Sequence, residues 1–176
     1  MKKVLLLTTS FLFVFIIAFS FFALLKLTPF YSQFHLQMEK ILKGHNLEPS
    51  PYYSPDMVVE IQLNALKGNN MQDNGLETVF NFASPSNKDS NGPFDNFRKL
   101  IHTNEYVSLI NCKSFTKEKL TYYGVYAYQL VSVIDKNDRK VVYLFKLSLQ
   151  TRQPYYGCWM TESVEKVSEE KIILQI

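Results

Sequence analysis

LTYYGVYAYQLVSVI, residues Leu120 to Ile134, is the stretch whose reading decides the fold. β-branched and aromatic residues dominate it and no helical spacing emerges, so it predicts a long β-type run. Both of its faces are largely apolar or aromatic. A strand of that kind has something against each side. It fits a bent sheet, with helices on one side and a cavity inside the curve. Downstream, Asp135-Lys136-Asn137-Asp138-Arg139 has the composition of a hairpin turn. The next strand alternates: Val141, Tyr143, Phe145, Leu147 and Leu149 point one way, Lys146, Ser148 and Gln150 the other. Thr151 to Pro154 reads as another turn, and Tyr155 to Val164 as a last strand carrying Cys158 and Trp159. The C-terminal half is therefore expected to be an antiparallel meander.

Upstream the spacing changes to helical. Ser54-Pro55-Asp56 is a helix start: serine caps, proline takes the first helical position and aspartate complements the dipole. Val58, Ile61, Ala65 and Leu66 form its buried stripe, and Gly68 ends it. Asn74-Gly75-Leu76-Glu77 resembles a capping box with Asn in place of Ser or Thr. It opens a second helix through Val79, Phe80 and Ala83, which Pro85 terminates. SPSNKDSNG, Ser84 to Gly92, is expected to be a polar loop. Pro93 starts a third helix with Phe94, Phe97, Leu100 and Ile101 on one side, and Tyr106 to Ile110 is expected to be a short strand. Three helices followed by a meander make an α+β fold.

The N-terminus bears on location. After Lys2-Lys3, the run VLLLTTSFLFVFIIAFSFFALL, Val4 to Leu25, carries no charge and is closed by Lys26. At about 1.5 Å rise per residue it is long enough for a bilayer core of about 30 Å. Its length favours an uncleaved signal anchor. A secretory peptide cleaved near Ala18-Phe19-Ser20 is the competing reading, against which Phe21, Phe22 and Leu24-Leu25 prolong the apolar stretch. The flanking lysines favour the N-terminus inside and the bulk on the non-cytoplasmic side, a bias that Lys40 and Lys43 erode. Residues 26–53 read as an amphipathic helix (Phe30, Phe34, Met38, Ile41, Leu42) stopped by Gly44, then a linker with Pro49 and Pro51. The folded domain is expected over residues 54–167, and residues 168–176 form a tail.

Composition excludes several classes. The net charge of +3 comes from scattered Lys and Arg, without the basic face that nucleic acid requires, so no nucleic-acid partner is expected. His35, His45 and His102 are far apart and no C-x-x-C occurs, so neither a metal nor another cofactor is expected. Cys112 and Cys158, the only cysteines, both fall in expected strands; they can pair in an oxidising compartment or simply pack, and spacing alone leaves that open. The 14 Phe and 11 Tyr against one Trp suggest a β-rich core or an aromatic-lined pocket.

Val58 to Leu66 (VVEIQLNAL), Phe80 to Pro85 (FNFASP), Phe97-Arg98-Lys99-Leu100-Ile101, Tyr106 and Gly157-Cys158-Trp159-Met160 together resemble the uncharacterised DUF4864 family. The resemblance covers roughly Ser54 to Val167. It implies the cystatin-like cone of the nuclear transport factor 2-like and SnoaL-like superfamily, and supplies no activity. Cone relatives that are enzymes set an acid beside Tyr or His donors in an apolar pocket. Here Tyr122, Tyr126 and Tyr128 share one parity, while Glu162 is the one carboxylate well inside an expected strand and so the one candidate pocket acid. Its bland reading is a solvated residue near a strand end. Lys113 adjoins Cys112 but would face away from it on a strand, which leaves that thiol unactivated. His102 is explained by the helix dipole.

These features favour a single-pass, membrane-anchored, non-enzymatic domain binding a small apolar ligand or a protein partner. Tyr126, Tyr128, Phe145 and Trp159 are the candidate ligand-binding residues. The alternatives are a small-molecule isomerase or hydrolase of the SnoaL-like type, and a structural subunit of a membrane complex.

Overall fold

A computed structural model describes residues 47–168, which fall within one compact unit, Lys40–Ile176. The apolar run Val4–Leu25, the helix expected over Phe30–Leu42 and the tail after Ser168 lie outside the described residues. Among the described residues no helix is long and apolar enough to cross a membrane.

Over the described residues the fold is α+β, with four helices on an antiparallel sheet of five strands. Helix α1, Pro55–Lys67, begins as its sequence dictates: the Ser54 side chain accepts from the Met57 amide, and Gly68 caps the other end. Helix α2, Asn74–Asn81, starts differently from the expected capping box. Asp73 is its N-cap in a left-handed conformation without a side-chain bond. Two earlier asparagines take that task, Asn69 Oδ1 accepting from the Gly75 amide and Asn70 Oδ1 from the Asn74 amide. Gly75 is required by packing. A Cβ there would stand 2.1 Å from the Ala65 carbonyl oxygen, so α2 crosses α1 backbone to backbone.

Two expectations give way here. Ser84 to Gly92 is not a loop: Pro85–Asn91 forms helix α3, with Ser84 accepting from the Asn87 amide. Ser84-Pro85 repeats the Ser54-Pro55 start, but α3 buries none of its residues and so carries no apolar stripe to announce it. Helix α4, Phe94–Ile101, follows after Pro93, as expected. Tyr106 to Ile110 is not a strand but contains a 3-10 turn, Val107–Leu109. Ser108, Leu109 and Ile110 are buried there and Tyr106 and Val107 half-buried, without a partner strand.

The strands are β1, Ser114–Lys117; β2, Thr121–Tyr123; β3, Tyr126–Ile134; β4, Lys140–Leu149; and β5, Trp159–Val167. β1 and β2 both pair with β3, at its two ends, and the order continues to β4 and β5. The stretch Leu120–Ile134 is thus two strands. Gly124, at φ +59°, opens a two-residue turn that pairs Tyr123 with Tyr126. The fold-back changes the parity count: Tyr122 stands opposite Ala127, so it does not share a face with Tyr126 and Tyr128. β3 alternates cleanly: Ala127, Gln129, Val131 and Val133 are buried, while Tyr128, Leu130, Ser132 and Ile134 are half-buried on the other face.

The core lies between the helices and the first of these faces. β4 adds Tyr143, Phe145 and Leu147, all buried on the expected parity. Residues 47–53, expected as a linker, contribute Leu47 and Tyr53 to that core, Tyr53 lying 6.1 Å from the Phe82 ring. The Asp135–Arg139 turn forms as expected. Asp135 accepts from the Asn137 and Arg139 amides and pairs with the Arg139 guanidinium, and those bonds, the Arg139 amide foremost, hold its carboxyl below the usual carboxylate range.

Candidate functional site

The register of β4 against β5 slips between Lys146 and Leu147: Leu147 faces Thr161 and Lys146 faces Ser163, leaving Glu162 as the extra residue. Such a bulge bends the strand and increases its twist. On its outer edge β5 is met by the chain between α2 and α3. The Thr161 amide donates to the Phe82 carbonyl, and the Ser84 amide to the Thr161 carbonyl. Asn87 of α3 adds a bond to the Glu162 carbonyl at 2.8 Å. A sheet edge that would otherwise be free is thereby covered.

Between this bent strand and the helices lies a cavity of about 300 Å³. Its walls are Leu66 of α1, Val79 of α2, Phe97, Leu100 and Ile101 of α4, and Phe145 and Val164 of the sheet. Polar groups gather at two places. On the α1 side, buried Gln62 donates to the Val58 carbonyl and to Thr161 Oγ1 at 2.8 Å, and that hydroxyl donates back to Gln62 Oε1 at 3.2 Å. On the α3 side stand Asn87, Ser90 and Asn91, with Glu165 of β5 also lining the cavity. Asn91 donates to Asn87 Oδ1 at 2.8 Å. Tyr106 completes the lining and donates its hydroxyl to the Val164 carbonyl. Burial first, and then the carboxylates of Glu105 and Glu165, push that phenol above its ordinary range, so it is a neutral hydrogen-bonding group.

The four residues read from the sequence go to different places. Phe145 lines the cavity. Tyr126 and Tyr128 stand on the opposite face of the sheet, Tyr126 with the Lys146 ammonium 4.7 Å from its ring centre. Trp159 packs edge-on to Tyr122 at 5.9 Å, near the β2–β3 turn. Glu162 borders the cavity through the bulge, but its carboxylate accepts from Ser148 Oγ, on the face away from Phe145. Gln62 and Thr161 were not singled out from the sequence. Gln62 did leave a signal, lying four residues after Val58 and four before Leu66, on the buried stripe of α1.

Chemically the lining is apolar and hydrogen-bonding, with Glu162 and Glu165 as its two carboxylates. It includes no His, Cys, Lys or Asp. Cys112 and Cys158 are buried, unpaired and outside regular strands, and burial raises both thiols. They therefore lack the lowered pKa of a nucleophile. His102 caps α4 and pairs with Asp73 at 3.2 Å on the surface. Among the described residues no three His, Cys, Asp or Glu side chains gather as a metal site. No family model matches the chain, and neither does any curated protein or solved structure.

Proposed function

We propose that this chain is a membrane-anchored, non-enzymatic binding domain of the cystatin-like cone type. In this reading its cavity holds a small apolar ligand with one hydrogen-bonding end. The cavity itself carries the proposal: apolar over most of its wall, polar at the α3 side, and of a size at the lower end of small-molecule pockets. An apolar body would lie against Leu66, Val79, Phe97 and Phe145. Its polar end would meet Asn87, Asn91 and the neutral Tyr106.

Acid–base catalysis needs a carboxyl or imidazole within reach of the reacting atom. Of the two lining carboxylates, Glu162 accepts from Ser148 on the far face of the sheet, and Glu165, itself exposed, accepts from Ser163 at 3.4 Å. That supports carriage or sensing over the isomerase reading. The cone assignment draws on four helices set over one face of a bent meander, and the anchor on the length of the Val4–Leu25 run.

The test is native mass spectrometry of the full-length chain released from detergent, beside Val164→Phe, which places a ring in the cavity. Retention of a small adduct by the wild type and its loss from the variant are expected. Equal spectra from both, together with failure of the wild type to take up the apolar fluorophore 1-aminoanthracene, would refute ligand binding.

A further inference from the structure

One end of the domain concentrates its exposed aromatic surface. The tip of the β2–β3 hairpin carries Tyr122, Tyr123, Val125 and Tyr126, between 36% and 78% exposed. The β4–β5 loop lies against that tip, since the Leu149 amide donates to the Val125 carbonyl and Tyr122 packs on Trp159. That loop adds Tyr156, 65% exposed. Its Gly157 stands against Pro51, whose neighbour Tyr52 is 88% exposed. The three segments are continuous with one another, and each presents tyrosine to solvent.

The start of the described chain belongs to this same end. Leu47 accepts from Asn81 Nδ2, and the Asn81 carbonyl accepts from Lys88. The Lys88 ammonium in turn sits 5.3 Å from the centre of the Tyr155 ring. Residues 26–46 link Leu47 to the apolar run Val4–Leu25. The far end of the sheet has the opposite character. There the β3–β4 turn presents Lys136, Asp138, Arg139 and Lys140, and Lys113 pairs with Asp138.

We infer that the tyrosine-bearing end is a membrane-contact surface, seated in the headgroup region of the bilayer that holds the anchor. Tyrosine suits that place because its ring is apolar and its hydroxyl polar, and it is enriched where membrane meets water. Lys119 and Arg152 are exposed in the segments that bear the patch, as are Glu118 and Glu48, so the tyrosines and not charge carry the contact. An anchor alone sets the domain's distance from the bilayer; the asymmetry between the two ends supplies orientation. The inference rests on the membrane-anchor part of the proposed function and is independent of the cavity.

Trp159 is the only tryptophan, which makes the test direct. The full-length chain carrying Trp159→Phe and Tyr123→Trp is reconstituted in phosphatidylcholine–phosphatidylserine vesicles containing brominated lipid. A matched chain carries Met71→Trp in the α1–α2 loop, where Met71 is 96% exposed. The expected result is strong loss of emission and a blue shift at position 123, with little change at position 71. If Trp159→Phe prevents folding, the same two probes are read as increments over a retained Trp159. Equal quenching at both positions, or none at either in chains that float with the vesicles, overturns the contact surface while leaving the anchor intact. Chains that do not float overturn the anchor and the surface together.

Discussion

Tyr143 is among the largest side chains with no exposure, and its hydroxyl donates to the Glu105 carbonyl at 2.9 Å. Burial pushes its pKa up to about 12 from an ordinary 10.0, against the opposing effect of a hydrogen bond with Ser108. The folded state therefore holds the phenolic proton more tightly than the unfolded chain does. The sign follows: the contribution is fully present below about pH 10 and is lost as pH rises towards about 12. A shift of that size corresponds to roughly 3 kcal/mol. Urea denaturation of wild type and Tyr143→Phe from pH 8 to 12 should show a steeper alkaline loss in the wild type. The variant should keep a weaker slope, because Tyr106 is raised in the same direction. Parallel pH profiles for the two proteins would contradict this account of the buried hydroxyl.

Helix α3 shows what local sequence reveals about an element and what it hides. At both Ser54-Pro55 and Ser84-Pro85 the serine side chain accepts from the amide three residues on. The first start is legible because Val58, Ile61 and Leu66 continue it with an apolar stripe. The second is followed by SNKDSN, which has nothing to bury and reads as loop; α3 exists because the bonds of Ser84 and Asn87 to β5 dock it. The β2–β3 turn was hidden for another reason. Tyrosine on both sides of Gly124-Val125 masks the break, and one missed turn moves Tyr122 to the other face. The alternation of β4 was legible because Tyr143, Phe145 and Leu147 flank Lys146 at period two, although Val142 and Leu144 share the Lys146 face and Ser148 on that face is buried. Ser84→Ala should cost ~1 kcal/mol, the usual loss for a removed N-cap. The loss should be local, so hydrogen exchange at Asn87 to Asn91 should accelerate more than exchange in α1. Uniform acceleration across both helices would show that α3 is not an independently docked element.

At the scale of the whole molecule, the cavity depends on contacts that no local pattern encodes. Gln62 and Thr161 are 99 residues apart and meet only when α1 lies across the bulged β5. The sequence carried the aromatic excess, but only the folded topology separates Phe145, which faces the cavity, from Tyr126 and Tyr128 behind it. An unfilled apolar space forgoes packing contacts, so a protein retains one at a cost to stability. A binding site and a packing flaw then respond oppositely to filling. A ligand that binds only the folded state raises stability with its concentration, by about 2.7 kcal/mol at 100 times its Kd. For wild type, 1-aminoanthracene should therefore raise the thermal midpoint in a concentration-dependent way. For Val164→Phe the midpoint without ligand should be unchanged or higher, since the added ring occupies existing space, and the response to the fluorophore should vanish. A variant that loses stability and still responds would mean that the ring has been forced into a closed core and that the fluorophore binds elsewhere.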